Sequence, residues 1–403
     1  IGAALAAARS GAKTVLIEGQ GCLGGVWTTG CLSWILDNRD KPGLLVELIE
    51  ACEKRGIVVL QGNPSTGVSA LSEGVPHAFG IDVEKMKLLL EEMCIEAGID
   101  IRLYTRISSA LVNEQTITHV ITESKSGAEA WSAKQFIDCT GDGDLGARAG
   151  CQFTYGREET ANPHNEAQPM SLLTIVDGLK ADEIERYHRF HQNMEKYNTE
   201  DSYSGLAAGK HRFREQMEKA GAPPSYSKPT MFKMTDTVWT MMLNHEYGKC
   251  GFDAQDLTDA TIHARAEINH GIDALRKTGG VFKDIHLTAT ANHIGVREGR
   301  RIKGLYTVTS DDVVQGVRHE DAVCRVHFGI DVHSTNPKNN KGIHVHGLKA
   351  QPYDIPLRAL IAQDVDNLFM AGRCISGDFM AHSSYRVTGN AVALGQAAGT
   401  AAA

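Results

Sequence analysis

The stretch Lys13-Thr14-Val15-Leu16-Ile17-Glu18 decides the fold of this sequence, because it joins an apolar run to a loop crowded with glycine. A continuous apolar run is typical of a buried parallel strand, which we expect over 12–17. Residues 1–10 are mostly Ala, Leu and Ile, which predicts a short buried helix that stops at Gly11. Helix, strand and glycine loop in this order predict the second half of a βαβ unit.

The acidic residue at the end of this strand suggests dinucleotide binding. In a dinucleotide-binding βαβ unit, a glycine turn holds the pyrophosphate at a helix N-terminus, and an acid about 20 positions later binds the ribose hydroxyls. Glu18 fits that acid if a glycine turn lies just before Ile1. We therefore expect a strand and a turn ahead of the first residue. The alternative is a strand-end glutamate without a ligand.

Composition excludes several classes of protein. The 403 residues include 41 Lys and Arg and 49 Asp and Glu, and the net charge of −8 argues against a nucleic-acid partner. The nine cysteines form no Cys-x-x-Cys pair, which argues against a disulfide framework, a zinc ribbon or an iron–sulfur centre. No apolar run reaches the roughly 18 residues of a membrane span. We expect a cytoplasmic protein with no membrane partner and about two to three domains.

Hydrophobic periodicity and short apolar runs predict the remaining elements. We expect helices over 82–97, 256–277 and 389–403. We expect strands over 99–103, 107–112, 116–122, 133–138, 285–290 and 367–371. The polar composition of 156–227 predicts the start of a second domain with long helices and little strand.

Six segments in order resemble the FAD-dependent oxidoreductase family, whose flavin domain is related to those of fumarate reductase and of the flavin-binding component of heterodisulfide reductase. They are LGGVWTTG at 23–30, FIDCTGDGD at 136–144, VREGRRI at 296–302, YDIPLR at 353–358, NLFMAGR at 367–373 and RVTGNAVALGQAAG at 386–399. The resemblance implies an α/β fold, with an FAD/NAD(P)-binding Rossmann-like doubly wound sheet and an inserted α+β substrate or cap domain. It places the FAD-binding domain in 1–155 and 347–403 and the inserted domain in 156–346. The heterodisulfide reductase component carries cysteine-rich iron–sulfur motifs, which this sequence lacks.

The resemblance implies FAD as the cofactor and assigns residues to it. The glycine pair lets backbone approach the cofactor, the neighbouring threonines offer hydroxyls, and the last helix points its positive end at the flavin pyrimidine. The candidate cofactor-binding residues are Glu18, Gly24, Gly25, Thr28, Thr29, Ile107, Thr140, Gly141, Asp142, Gly372, Arg373, Asp378, Gly389, Asn390 and Ala391. The alternatives are a structural glycine turn and a helix of small residues packed on the sheet. A calcium loop at Asp142 fails because Phe153 stands where the twelfth-position Glu is required.

Candidate catalytic residues are His382, Arg386 and His344. A histidine can serve as acid or base, and the spacing of His344 and His346 predicts that both lie on one strand face. Two histidines without a third ligand do not make a metal site, so we assign none. Arginines could bind a carboxylate or an oxyanion, although pairing with Glu298 explains those near it equally well. These arginines are Arg297, Arg300, Arg301 and Arg386.

The predicted activity is hydride transfer between a small organic substrate and bound flavin, which a second electron acceptor then restores. The alternatives are a nicotinamide-dependent Rossmann dehydrogenase and a non-catalytic chain that keeps the fold. The C-terminal block 372–399 favours flavin, because a simple Rossmann dehydrogenase does not need it. A homo-oligomer is an open alternative to a monomer.

The position of Glu18 leads to a prediction about flavin affinity. A chain extended by about 30 residues, the length of a βαβ unit, gains the backbone N–H donors of a glycine turn. We expect it to retain flavin better and aggregate less than the 403-residue chain. Gel filtration of both chains, followed by measurement of bound flavin, checks this. Equal retention and equal solubility would contradict the assignment of Glu18 to the ribose.

Overall fold

The computed structural model describes residues 1–59, 78–157, 167–188, 205–338, 341–344 and 346–403. Its helices are α1 (Gly2–Arg9), α2 (Leu44–Lys54), α3 (Val83–Glu96), α4 (Asp144–Arg148), α5 (Glu185–His188), α6 (Gly205–Lys219), α7 (Ala254–Thr278), α8 (Ser310–Gln315), α9 (Phe379–Tyr385) and α10 (Thr388–Ala402). Its strands are β1 (Val15–Ile17), β2 (Trp34–Leu36), β3 (Val58–Val59), β4 (Ala78–Ile81), β5 (Asp100–Arg102), β6 (Arg106–Asn113), β7 (Thr116–Ser124), β8 (Gly127–Trp131), β9 (Phe136–Asp138), β10 (Phe153–Thr154), β11 (Leu173–Asp177), β12 (Thr230–Lys233), β13 (Trp239–Met242), β14 (His286–Thr290), β15 (Arg301–Ile302), β16 (Ala322–Val326), β17 (Tyr353–Pro356) and β18 (Leu368–Met370).

Two parallel strand pairs position the candidate site. β1 pairs with β5, and β9 pairs with β18, each in parallel register. A parallel pair requires a crossover connection, and α3 lies in the connection that ends at β5. The pairing of β9 with β18 brings the C-terminal part of the chain to the strand that ends at Asp138. Ligands of open α/β sheets bind beyond the carboxyl ends of such strands.

The first and last helices pack closely because their contact is made of small residues. A Cβ on Gly399 would lie 2.1 Å from the carbonyl oxygen of Ala3, and one on Gly395 would lie 3.0 Å from the amide nitrogen of Ala3. A Cβ on Gly2 would lie 2.9 Å from the carbonyl oxygen of Val392. Side chains larger than hydrogen at these positions would therefore separate α1 from α10.

The middle of the chain forms an antiparallel sheet in the order β12-β13-β11-β14. α7 lies against this sheet and buries Ile268 and Leu275 in the same apolar cluster as Trp239. Trp239 is fully buried, and its indole N–H donates to the carbonyl oxygen of Leu179 at 2.8 Å. This contact satisfies the polar atom of the largest side chain in the cluster.

Other strands of the middle stretch pair with strands of its flanks. β10 pairs with β15, and β16 pairs with β17, both antiparallel. Ile302 and Val326 share one apolar cluster with Phe136 and Tyr353. The predicted domain boundaries at 155 and 347 remain a prediction.

The three long predicted helices are confirmed within one or two residues as α3, α7 and α10. Asp82 and Asp253 cap α3 and α7, since each carboxylate accepts backbone N–H groups of the first turn. The prediction that His344 and His346 lie on one strand face is wrong, because neither residue belongs to a strand. Within the described residues, no helix is long and apolar enough to cross a membrane.

The contact between α1 and α10 predicts an effect on stability. Gly399→Val should lower the free energy of unfolding by about 1–3 kcal/mol, because the new side chain overpacks a close helix contact. Thr400→Val is the matched control, since Thr400 lies on the exposed face of the same helix and is also β-branched. Urea unfolding of both variants measures the difference. Equal losses in the two variants would show that the close contact does not limit stability.

Candidate functional site

The glycine loop after β1 leaves open space beside Gly25. Gly24 and Gly25 have φ angles of +113° and +54°, a region that L side chains rarely adopt. A Cβ on Gly24 would lie 2.6 Å from Cγ2 of Thr28, whereas one on Gly25 would meet no atom within 4 Å. Packing inside the loop therefore requires glycine at 24, and glycine at 25 leaves backbone accessible to a ligand.

The two threonines of this loop hold its backbone in place. The hydroxyl of Thr28 donates to the carbonyl oxygen of Leu23 at 2.6 Å, and that of Thr29 donates to the carbonyl oxygen of Gly25 at 2.8 Å. Both side chains are buried. Since their hydroxyl protons are used within the loop, the predicted contact of Thr28 and Thr29 with the cofactor remains a prediction.

Glu18 lies at the carboxyl end of β1, as predicted for a ribose ligand. Its carboxylate accepts the backbone N–H of Gln20 at 2.9 Å. Ile107 lies half-buried on β6, a few residues beyond Tyr104, which has a φ of +53°. Nearby, a cavity of about 380 Å³ is lined by Gln20, Gly21, Cys22, Thr29, Glu84, Lys87, Leu88, Glu91, Tyr104 and Asn292.

The loop after β9 joins an acidic residue to Arg373. Asp138 accepts from both the backbone N–H and the hydroxyl of Thr140, at 3.0 and 2.7 Å, which makes Thr140 a support for the loop. Asp142 forms an ion pair with Arg373 at 3.0 Å. A Cβ on Gly141 would lie 2.5 Å from Nη2 of Arg373, so the guanidinium packs directly against the backbone of Gly141. Nη1 of Arg373 has no hydrogen-bond partner within the described residues.

His293 interacts with both the loop after β1 and the loop after β9, and it is not among the site residues predicted from the sequence. The backbone N–H groups of Asn292 and His293 both donate to the carbonyl oxygen of Thr29, at 3.0 and 3.2 Å. Burial lowers the pKa of His293, while Asp142 opposes that shift. The backbone of His293 thus contacts Thr29, and its neutral imidazole interacts electrostatically with Asp142 and Arg373. The available signal was the position of His293 just before the segment 296–302.

Among the C-terminal candidates, Gly372 has free space beside its backbone, whereas the others make contacts within the protein. Gly372 has a φ of +82°, and a Cβ there would meet only Cβ of Ala391, at 3.8 Å. Asp378 caps α9 by accepting the backbone N–H of Ala381. A Cβ on Gly389 would lie 2.3 Å from the carbonyl oxygen of Asp37, and the side-chain amide of Asn390 donates to the carbonyl oxygen of Tyr385. Asp378, Gly389 and Asn390 thus position the start of α10.

His382 is fully buried, and neither ring nitrogen has a hydrogen-bond partner in the part of the chain that the structure describes. Burial, followed by the cations Arg301, Arg386 and Arg373, holds its pKa well below the usual value. His382 is therefore a neutral imidazole at physiological pH. It can offer one donor and one acceptor to a ligand.

Arg386 donates from Nη1 to the carbonyl oxygen of Arg297 at 3.0 Å and from Nη2 to that of Asp331 at 2.8 Å. Burial lowers its pKa to about 10, so it stays protonated. The structure thus makes Arg386 a link between two loops. His344 lies half-buried, and burial, followed by Arg157, lowers its pKa. His346 bonds to the carbonyl oxygen of Ile330 at 3.1 Å, which gives it a structural role.

The structure brings six further residues together in what we call the Asp331 cluster. Oδ2 of Asp331 lies 3.2 Å from Nε2 of His333, and Nδ1 of His333 lies 3.0 Å from Nε2 of His245. Nδ1 of His245 lies 3.1 Å from the hydroxyl of Tyr247, and the ring of Tyr226 stacks on His245 with centroids 4.0 Å apart. The members of the cluster are Tyr226, His245, Tyr247, Arg297, Asp331 and His333.

The histidines of the cluster are neutral, while its carboxylate is ionised. Burial and the cation Arg297 lower the pKa of His333 to about 3, and burial holds that of His245 well below its usual value. Burial alone would raise the pKa of Asp331, but His333, Arg386 and Arg297 together lower it. The cluster therefore keeps one fixed negative charge at physiological pH.

Arg297 is the sixth member of the cluster and lies in a family segment. Its Nη1 donates to the carbonyl oxygen of Pro169 at 2.6 Å and to the hydroxyl of Ser171 at 2.9 Å, and Nη2 faces the sulfur of Met242 at 3.1 Å. No carboxylate of the described residues lies within 4.0 Å of its guanidinium. Arg300 and Arg301, by contrast, pair with Asp144 and Glu298.

One group of possible metal ligands lies outside these clusters. Side-chain atoms of Glu246, His263 and Glu267 come within 4.8 Å of one another, and the imidazole of His263 bonds to the carboxylate of Glu246. Glu267 in turn accepts from the hydroxyl of Ser225 at 2.7 Å. These carboxylates therefore have partners in the protein itself.

The fold and the glycine-lined site define an α/β dinucleotide-binding protein. The chain belongs to the FAD dependent oxidoreductase family, whose sequence profile matches residues 1–403. It is thus an FAD-dependent enzyme, and the predictions of the family, the Rossmann-like α/β fold and the cofactor FAD are confirmed. The relation to fumarate reductase and to heterodisulfide reductase remains a prediction.

Solved structures were also compared with the chain. A geranylgeranyl bacteriochlorophyll reductase-like protein from Thermoplasma acidophilum is 12% identical, with a TM-score of 0.47 over 99% of this chain and 72% of that one. The myxobacterial chondrochloren halogenase CndH is 9% identical, with a TM-score of 0.46 over 98% of this chain and 69% of that one. A search of curated proteins found no match to the sequence.

The residues of the site fit FAD. Open backbone at Gly25 and Gly372 leaves room for a ligand. Nη1 of Arg373, which has no partner in the part of the chain that the structure describes, offers a cationic donor to phosphate. The N-terminus of α10 adds the positive end of a helix dipole. Gly25, Gly372, Arg373 and the first turn of α10 would therefore hold the cofactor.

The open space at Gly25 predicts a loss of FAD binding on substitution. Gly25→Leu should lower FAD retention, because the new side chain fills space beside the loop backbone. Gly56→Leu is the control, since Gly56 has a φ of +60° and equally open surroundings but lies after α2. Both variants should lose about 1–2 kcal/mol of stability from the left-handed backbone. FAD retention after dialysis and thermal unfolding separate the two effects, and equal retention would exclude Gly25 from the binding site.

Proposed function

We propose that this enzyme transfers a hydride between a small organic substrate and its bound flavin, and that a second electron acceptor then restores the flavin. FAD supplies the two-electron chemistry when bound, while the protein supplies binding, orientation and electrostatics. The match to the FAD-dependent family across the whole chain favours this reaction over a nicotinamide-dependent dehydrogenase. Orientation of the substrate is therefore the task of this chain's own residues.

The observation that supports the proposal most directly is the position of Arg386. This residue opens the family segment 386–399, and its guanidinium holds the carbonyl oxygens of Arg297 and Asp331. The Asp331 cluster therefore adjoins the segment that also forms the start of α10. We place the substrate between this cluster and the cofactor.

His382 contributes hydrogen bonding without charge. Its imidazole is buried among Arg301, Arg373 and Arg386, and it stays neutral because these cations and burial oppose protonation. Neither ring nitrogen has a hydrogen-bond partner among the described residues, so this neutral imidazole can donate to one ligand atom and accept from another. We propose that His382 orients a polar group of the substrate or the cofactor.

The role of Arg386 gives the experiment that tests the proposal. Anaerobic mixing of the enzyme with a panel of organic donors should bleach the flavin absorbance. Arg386→Lys should slow that reduction by about 100-fold, because a single ammonium cannot hold two loops in register and small displacements are costly in rate. FAD content and thermal unfolding confirm that the variant is intact.

Arg318→Lys is the matched control, since Arg318 is about half exposed and pairs with Asp354 away from these loops. We expect wild-type rates from it. The proposal is wrong if no organic donor bleaches a flavin that dithionite reduces. Electron acceptors added to the bleached enzyme then identify the oxidant of the second half-reaction.

A further inference from the structure

The Asp331 cluster and its neighbours carry more positive than negative charge. Arg297 and Arg386 both face Asp331, and Lys210 of α6 also interacts with this carboxylate. Burial lowers the pKa of Lys210 to about 8, which leaves it mostly protonated at neutral pH. Three cations thus face Asp331, and the second carboxylate near them, Glu298, which also interacts with Arg386, is already paired with Arg301 at 2.6 Å.

Uncompensated cations in a partly buried site favour an anionic ligand, because burying charge is costly unless an opposite charge is near. Arg297 is the cation best placed to bind one. Its Nη1 already donates to Pro169 and Ser171, whereas among the described residues its Nη2 faces the thioether of Met242, which is a weak acceptor. Nη2 and Nε of the guanidinium can therefore give a carboxylate two parallel hydrogen bonds. The neighbouring aromatic residues Tyr226 and Tyr247 both interact with its charge.

The hydrogen bonds of the cluster run in one direction. Ionised Asp331 can only accept, so Nε2 of His333 donates to it and Nδ1 of His333 accepts. Nε2 of His245 then donates to His333, which leaves Nδ1 of His245 to accept the hydroxyl proton of Tyr247. The phenol oxygen of Tyr247 keeps its lone pairs for the hydroxyl of a ligand.

We propose that the Asp331 cluster binds a small hydroxycarboxylate, with its carboxylate on Arg297 and its hydroxyl on Tyr247, an inference that rests on the proposed function. The substrate hydroxyl gives its proton to the Tyr247 oxygen as Tyr247 gives its own to Nδ1 of His245. The adjacent C–H bond breaks, and its hydrogen leaves with both electrons as the hydride that the flavin of the proposed function would accept. The alcohol thereby becomes a carbonyl. The ligand carboxylate compensates Arg297, which is one of the causes that keep His245 neutral, so that His245 can hold the added proton while Asp331 stabilises it through His333.

Two readouts test this inference on the FAD-loaded enzyme, namely perturbation of the flavin absorbance on binding and its anaerobic bleaching. The probes are lactate, glycerate and malate, with propane-1,2-diol as an alcohol that lacks the carboxylate. We expect the hydroxycarboxylates to bind and bleach, and the diol to do neither at equal concentration. Arg297→Gln should weaken binding about tenfold or more, in keeping with loss of a charge-assisted pair.

The Tyr247→Phe variant should still bind the hydroxycarboxylates, but they should bleach its flavin about 100-fold more slowly. This result separates proton transfer from binding. Arg300→Gln is the matched control, because Arg300 lies in the same segment but pairs with Asp144. Thermal unfolding and FAD content establish that each variant folds. Equal binding by Arg297→Gln and wild type, or equal bleaching by the diol and the acids, would overturn the inference. If only organic donors other than hydroxycarboxylates bleach the flavin, the inference is overturned and the proposed function stands. If no donor bleaches the flavin, the inference and the proposed function are both refuted.

Discussion

The guanidinium of Arg386 is the constraint on which the arrangement of the site depends. It is partly buried, and it binds two backbone carbonyl oxygens in place of a carboxylate. A cation held in this way retains hydrogen bonds but little charge compensation, and its lowered pKa of about 10 expresses that cost. In return, the start of α10 and the loops at Arg297 and Asp331 are fixed relative to one another. Their separation in the sequence means that no local element could fix them.

The same geometry explains why charge in this region is unevenly distributed. Arg301 and Glu298 are both fully buried and compensate each other, so they add rigidity without a net field. Neither Arg297 nor Arg386 forms an ion pair with a carboxylate of the described residues. Asp331 faces both and Glu298 also faces Arg386, which lowers the cost of burying these cations without cancelling it. An excess of buried positive charge lowers stability unless a ligand compensates it.

The sequence predicted those parts of the fold that depend on local pattern. Helices α3, α7 and α10 follow apolar spacing and caps within each segment, and β9 and β18 follow short apolar runs. The prediction that His344 and His346 share a strand face is wrong, because alternating residues form a strand only where another strand pairs with them. Of the candidate site, Arg373, Gly372 and Gly25 lie in family segments, so the sequence alone could propose them, and their contact with FAD remains a prediction. His245 is far in the sequence from Asp331 and His333, and contacts between these distant segments bring it beside them.

The order within the Asp331 cluster also follows from a single charge. A neutral imidazole carries one proton, so one ring nitrogen donates and the other accepts. When the group at one end of a row of hydrogen bonds can only accept, the tautomer of every imidazole in that row is therefore fixed. Asp331 is that end, and its ionisation depends on Arg386 and Arg297. The orientation of the Tyr247 hydroxyl is therefore determined, through two histidines, by the charge of Asp331. Loss of the negative charge at Asp331 would leave both imidazoles free to reverse, and Tyr247 would then lose its defined acceptor.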